Sequence, residues 1–200
     1  MDTAYKIYAG LMNERLKEEV EKRLEEGQYG FRKGRGTVDA IYTLNYIANR
    51  EIAKKKGKVY AFFADLKAAF DRVNRKELGE MMKKAGIKER LRRRIMETYK
   101  ETKNVIRIGD QKTKEFWTKR GVRQGCPMSP TLFNIYMMDL EKEMKKEQTG
   151  GVMVEKEKIW TITYADDIVL IAKEEQNLKG MIRRFKRYIE RKGLILSTEK

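Results

Sequence analysis

Asp166 and Asp167 are adjacent carboxylates held between two apolar runs, 159–164 and 168–172. Neighbouring side chains of an extended chain point to opposite sides, and anions in so tight a connection are costly to desolvate unless a cation compensates. A divalent metal would compensate. Taken alone, the pair reads as an Asp-rich turn, because Asp tolerates turn conformations well. Asp65 shifts the balance, since it closes a second apolar, β-prone run, 59–64, read as a buried strand. If the two strands are neighbours in one sheet, Asp65 and Asp166 converge on one edge. Two or three carboxylates meeting there suit a pair of Mg2+ ions about 4 Å apart, or Mn2+ in their place, the arrangement that serves in-line phosphoryl transfer. Asp71 is the competing acid of this segment and is expected to pair with Arg72 or Arg75, which leaves Asp65 as the reactive one.

Other chemistries are closed off by composition. The chain has no histidine and one cysteine, Cys126. Ser-His-Asp and Cys-His catalysis, His-ligated zinc, multi-Cys metal sites and an intrachain disulfide are therefore excluded. A net charge of +16 calls for an anionic partner, and nucleic acid is the leading one, with Lys-rich solvated faces as the plain alternative. No apolar run approaches the ~20 residues that span a bilayer, and the first ten residues lack the layout of a secretion signal. The expectation is an intracellular protein without a membrane or disulfide-linked partner. Its 200 residues suffice for one domain with a real core.

The elements that must hold the acids in place follow from periodicity. Ile7, Leu11, Leu16, Val20 and Leu24 recur at near-helical spacing, and so do Val38, Ile41, Leu44, Ala48 and Ile52 after a cap at Thr37. Asn74 with Glu77 reads as a capping pair for the next helix, which Gly86 closes. A helix over 88–102 precedes a hairpin turning at Gly109-Asp110. Ser129 and Pro130 start a long helix towards Lys146. The strands 159–164 and 168–172 flank Ala165-Asp166-Asp167, and a basic helix over 177–192 follows. Helices and strands that do not alternate indicate an α+β fold, an antiparallel sheet covered on one face.

Several stretches together resemble one family. Tyr164-Ala165-Asp166-Asp167 resembles the YxDD box of reverse transcriptases, and Phe63 to Asp71 resembles their first palm motif, F-x-D-L-x-x-A-F-D. Gly121 to Asn134 is similar to the substrate-pocket motif G-x-x-Q-G-x-x-x-S-P-x-L-F-N. Gln28 to Thr37 is similar to the fingers motif of non-LTR (LINE-like) retrotransposons, and Gly193-Leu194 with Lys200 to the motif that closes the palm. The order of the five blocks is the family's.

This resemblance implies a right-hand polymerase palm with part of the fingers, in one reverse transcriptase domain: 1–57 partial fingers, 58–78 palm, 79–118 helices and hairpin partly of the fingers, 119–200 palm. It implies an RNA template, a DNA primer and deoxynucleoside triphosphates, a thumb and an endonuclease region missing from this piece of a longer element, and a nuclear setting. Asp65, Asp166 and Asp167 would be catalytic and, with the Leu66 carbonyl, hold metal. Phe70 would be the steric gate against a 2′-hydroxyl. Gln124 and Gly125 would line the nucleotide pocket, and Lys200 would steady pyrophosphate. Arg32, Gly34 and Arg35 would meet nucleic acid, since glycines among arginines expose backbone donors and let guanidinium groups reach phosphate.

Two other functions stay open. A nucleotide cyclase also uses paired carboxylates and metal, but Gln124-Gly125 with Ser129-Pro130 favours the polymerase. A catalytically incompetent fragment that only binds RNA is the second. The basic runs 54–56, 90–94 and 183–191 are candidate phosphate contacts or solvated faces in equal measure, and Trp117 and Trp160 are expected in the core.

Overall fold

The computed structural model describes residues 2–100 and 102–197. In chain order its elements are α1 (Thr3–Val20), α2 (Thr37–Ile52), β1 (Tyr60–Ala64), α3 (Ala69–Arg72), α4 (Arg75–Lys84), α5 (Glu89–Lys100), β2 (Lys103–Asn104), β3 (Arg107–Ile108), β4 (Gln111–Lys112), β5 (Phe116–Trp117), α6 (Ser129–Met137), α7 (Leu140–Lys145), β6 (Val152–Val154), β7 (Glu157–Ile159), β8 (Thr161–Tyr164), β9 (Asp167–Ala172) and α8 (Glu175–Arg191). They divide into two compact units, Met1–Lys22 with Phe70–Tyr136, and Arg23–Ala69 with Met137–Lys200. The first palm motif, 63–71, crosses this division between Ala69 and Phe70. No helix of the described residues is long and apolar enough to cross a membrane.

The first unit is helical. α5 packs against α1 and α4, and Leu16, Leu78, Met82, Ile95, Leu132 and Phe133 are fully buried. Leu16, Val20 and Leu24 of the expected stripe are buried, but in the first half of α1 the inward face shifts off the large apolar residues expected there. Ala9, Met12, Leu16 and Val20 are buried, whereas Ile7 and Leu11 are exposed. A count of large side chains overlooks the small, fully buried Ala9. Asn74 caps α4 as expected, its Oδ1 accepting from the backbone N–H of Lys76 at 3.0 Å and of Glu77 at 3.3 Å. Gly86 closes that helix at φ 63°, with Ile87 N–H donating to the Met82 carbonyl. The hairpin at Gly109-Asp110 is present, split into two short ladders, β3 with β4 and β2 with β5. Trp117, expected in the core, is 53% exposed on this ribbon, because two strands alone have no second layer to bury it.

The second unit is built on an antiparallel sheet of order β1-β9-β8. Side chains alternate across it. Ile162, Val169 and Ile171 join Ala40, Leu44 and Ile47 of α2 in one hydrophobic cluster. Ile168, Leu170 and Ala172 turn the other way and are buried, and α8 packs against β9 and β1. The sheet thus has helices on two faces rather than on one. The cover is incomplete over β1, an edge strand, and Phe63 is 67% exposed, so β1 is not the buried strand its composition suggests.

α2 starts at Thr37 with Gly36 as its cap, and the Asp39 carboxylate accepts the Gly36 N–H at 2.6 Å. Its buried residues are Ala40, Ile47 and Glu51, while Val38, Ile41 and Ile52 of the expected face are exposed. The long helix expected over 129–146 breaks between α6 and α7. The break falls at Asp139, whose Oδ1 accepts from the Tyr188 hydroxyl at 2.6 Å and pairs with Lys192 at 3.3 Å.

Candidate functional site

The acids come together through strand register. β1 pairs with β9 from Tyr60↔Ala172 to Ala64↔Ile168, so one further step sets Asp65 opposite Asp167. β8 pairs with β9 as far as Tyr164↔Asp167, which leaves Ala165 and Asp166 as a two-residue turn. Asp167 is therefore a strand residue, not part of the connection. Ala165 has φ 57°, a left-handed conformation that costs a non-glycine residue on the order of 1 kcal/mol. Asp65, Asp166 and Asp167 thus stand at one end of one sheet, the first two half-buried and the third exposed.

Leu66 is buried and bridges antiparallel to Leu196. The bonds of that bridge use its neighbours, Ser197 N–H to the Asp65 carbonyl and Lys67 N–H to the Ile195 carbonyl, both 2.8 Å. Backbone groups alternate along an extended chain, so the Leu66 carbonyl turns to the β9 side. Hard oxygen donors collected at one strand end match what Mg2+ prefers. Among the described residues, however, no three acidic or Cys side chains already enclose a metal-sized position.

A neighbour of the turn escaped the sequence reading. The 27–30 segment lies along β8 through one isolated parallel bridge, Gln28 to Thr163: Tyr29 N–H donates to the Thr163 carbonyl and Thr163 N–H to the Gly27 carbonyl, both 2.8 Å. A Cβ on Gly27 would lie 2.4 Å from the Thr161 carbonyl oxygen. The Phe31 and Tyr164 rings are 6.2 Å apart. The fingers-like motif therefore buttresses the turn that carries Asp166. The only hint in the sequence was the pair Gly27 and Gly30, three apart, where close backbone approach excludes a Cβ.

The arginines of that motif are engaged by the chain itself. Arg32 Nη1 donates to the Glu25 carbonyl at 2.8 Å and the Gln28 carbonyl at 3.2 Å. Arg35 donates to the Glu26 carbonyl and carboxylate, and its guanidinium lies 5.5 Å from the Tyr29 ring centre. Arg35 holds the Glu26 carboxyl below its usual range. Gly34 stands between them at φ 71°.

In the other unit, the end of the first palm motif is joined to the pocket motif. Gly121 N–H donates to the Val73 carbonyl at 2.8 Å and Val122 N–H to the Phe70 carbonyl at 2.9 Å. Phe70 stacks on Phe133 with centroids 5.0 Å apart. Gln124 Nε2 lies 3.3 and 3.2 Å from the two carboxylate oxygens of Asp71. This corrects the expected pairing of Asp71 with Arg72 or Arg75, for Arg75 is turned to the carbonyls of Gly121, Tyr99 and Thr118. Gly125 has φ 75°, a conformational reason for glycine there. Lys200 lies outside the described residues.

Of the basic runs, Arg184 is buried and donates to the Met144 carbonyl at 2.7 Å, Arg92 pairs with Glu89, and Lys54 pairs with Glu51 at 2.5 Å. Trp160 is in the core as expected.

The family model described as reverse transcriptase (RNA-dependent DNA polymerase) matches residues 1–200. The chain belongs to the reverse transcriptase family. Relatives within it include the Pol polyprotein of the type-1 retrotransposable element R2 of Popillia japonica, 31% identical over 82% of this chain and 27% of that protein. Its counterpart from Nasonia vitripennis is 31% identical over 88% and 17%. The RNA-directed DNA polymerase of the mobile element jockey of Drosophila funebris is 28% identical over 78% and 16%. These relatives place the reverse transcriptase domain among those of non-LTR retrotransposons. The chain spans about a quarter or less of their lengths. Among solved structures, Candida tropicalis telomerase with a TWJ fragment of telomeric RNA superposes with a TM-score of 0.70 at 13% identity, over 98% of this chain and 32% of that one. That is a likeness of fold, and it agrees with an α+β palm.

Proposed function

We propose that this reverse transcriptase domain is an RNA-directed DNA polymerase core that adds deoxynucleotides to a DNA primer 3′-hydroxyl on an RNA template. The observation that carries the proposal is the register, which brings Asp65 to the same sheet end as Asp166 and Asp167 from a strand about a hundred residues away. Asp65, Asp166 and the Leu66 carbonyl, with Asp167 alongside, would hold two divalent ions, Mg2+ or Mn2+. When bound, such ions supply charge neutralisation at the transferring phosphate and activation of the attacking hydroxyl. The chain's own contribution is placement. The paired strands hold the acids at fixed spacing, and the 27–30 segment props the turn between them. Phe70 excludes a 2′-hydroxyl by bulk, backed by Phe133, and Gln124 and Gly125 contact the incoming nucleotide.

Primer extension on an RNA template tests this. Incorporation by the wild-type chain that is lost by at least about a thousandfold in Asp65→Asn and Asp166→Asn, with RNA affinity unchanged, is the expected result. RNA binding without incorporation by the wild-type chain would overturn the proposal in favour of a binding module.

A further inference from the structure

Gln124 has a partner that no pocket role requires. A glutamine amide is nearly symmetric in shape, but a carboxylate only accepts hydrogen bonds, so the side facing Asp71 must be the NH2. Both Asp71 oxygens lie within 3.3 Å of Nε2. We propose that Asp71 is a positioning residue that orients the Gln124 amide so that its Oε1 is the group offered to the nucleotide. The identity of that ligand rests on the polymerase reading, whereas the contact does not.

The contact is backed on both sides. A Cβ on Gly121, which has φ 85°, would lie 2.9 Å from the Asp71 carbonyl oxygen, so only glycine permits this approach of the two segments. Their backbones are bonded through Gly121 to Val73 and Val122 to Phe70. Arg75, the nearby cation that would compete for Asp71, is held by three carbonyl oxygens instead. Asp71 and Gln124 also line one open groove with Lys103, Arg120 and Arg123. An amide oxygen beside such a groove accepts a hydrogen bond from a ligand donor, and Arg120 suits a ligand's phosphate, whereas Lys103 is paired with Glu115 at 3.0 Å and Arg123 is turned to the Thr98 carbonyl.

The test combines kinetics with a readout independent of turnover. In primer extension, Asp71→Ala is expected to raise KM for the deoxynucleotide roughly fivefold with kcat within about twofold. Asp71→Asn, which keeps an acceptor, should recover most of that loss. The double variant Asp71→Ala/Gln124→Ala should be no worse than Gln124→Ala alone, because the carboxylate works only through the amide. Multiplying single effects would overturn the proposal. In parallel, the side-chain NH2 resonances of Gln124, identified by their absence in Gln124→Ala, should move in Asp71→Ala. Unmoved resonances would overturn it even if the wild-type chain incorporated no nucleotide, a result that would separately sink the polymerase reading.

Discussion

Gly30 and Ala165 approach so closely that a Cβ added to Gly30 would lie 2.5 Å from the Ala165 backbone nitrogen. Real contacts do not reach that distance, so Gly30→Ala must displace either the 27–30 segment or the turn. The turn already carries a left-handed Ala165. Gly30→Ala is therefore expected to cost about 1–3 kcal/mol in stability and to lower nucleotide incorporation by at least about tenfold. Urea denaturation and primer extension on the same preparation check both. Wild-type incorporation by this variant would show that the turn does not need its buttress.

Phe70 stacks on Phe133, so its ring is fixed by packing within its own unit. Truncation to alanine removes the bulk assigned to sugar selection together with a ring pair worth about 0.5–1.5 kcal/mol. Phe70→Ala should incorporate ribonucleotides at least about tenfold more readily relative to deoxynucleotides. Competition between the two nucleotide pools measures it, and unchanged discrimination counts against the gate.

Glu141 gives a pH-dependent prediction. Burial raises its carboxyl above the usual range, with Glu25 adding to the rise, and Lys145 at 3.2 Å offsets this only in part. Its Oε2 is buried, and the Gly27 backbone N–H adds only a further small offset. A carboxyl raised in the folded state favours folding fully below the ordinary Glu value, and that contribution is lost as pH climbs through the raised one. Glu141→Gln should accordingly stabilise the protein by about 1 kcal/mol at pH 8 and leave it near wild type at pH 4. Denaturant midpoints at the two pH values decide, and a loss of stability at pH 8 would show that the Lys145 pair prevails.

The parts of this molecule legible in the sequence are those set by local chemistry. The Asn74 cap, the Gly86 stop, the Gly109-Asp110 turn and the strands around Ala165-Asp166 each follow from a few adjacent residues. Even the meeting of Asp65 with the Asp166-Asp167 pair was readable, because each lies where an apolar strand ends or begins. The inward faces of the first half of α1 and of most of α2 were not. Ala9 and Ala40 are buried while Ile7, Val38 and Ile41 face outward, and there a pattern weighted by apolar size points the wrong way. The partners of Asp71 and of the motif arginines were equally hidden, since composition identifies cations but not the carbonyl groups left over by turns.

Those arginines carry a consequence for solution behaviour. Arg32, Arg35, Arg75, Arg123 and Arg184 all donate to main-chain oxygens and work as internal fasteners. An ionic-strength titration of polyanion binding would therefore give a shallower slope than the net charge implies, and such cations would resist high salt that strips the lysines from a bound strand.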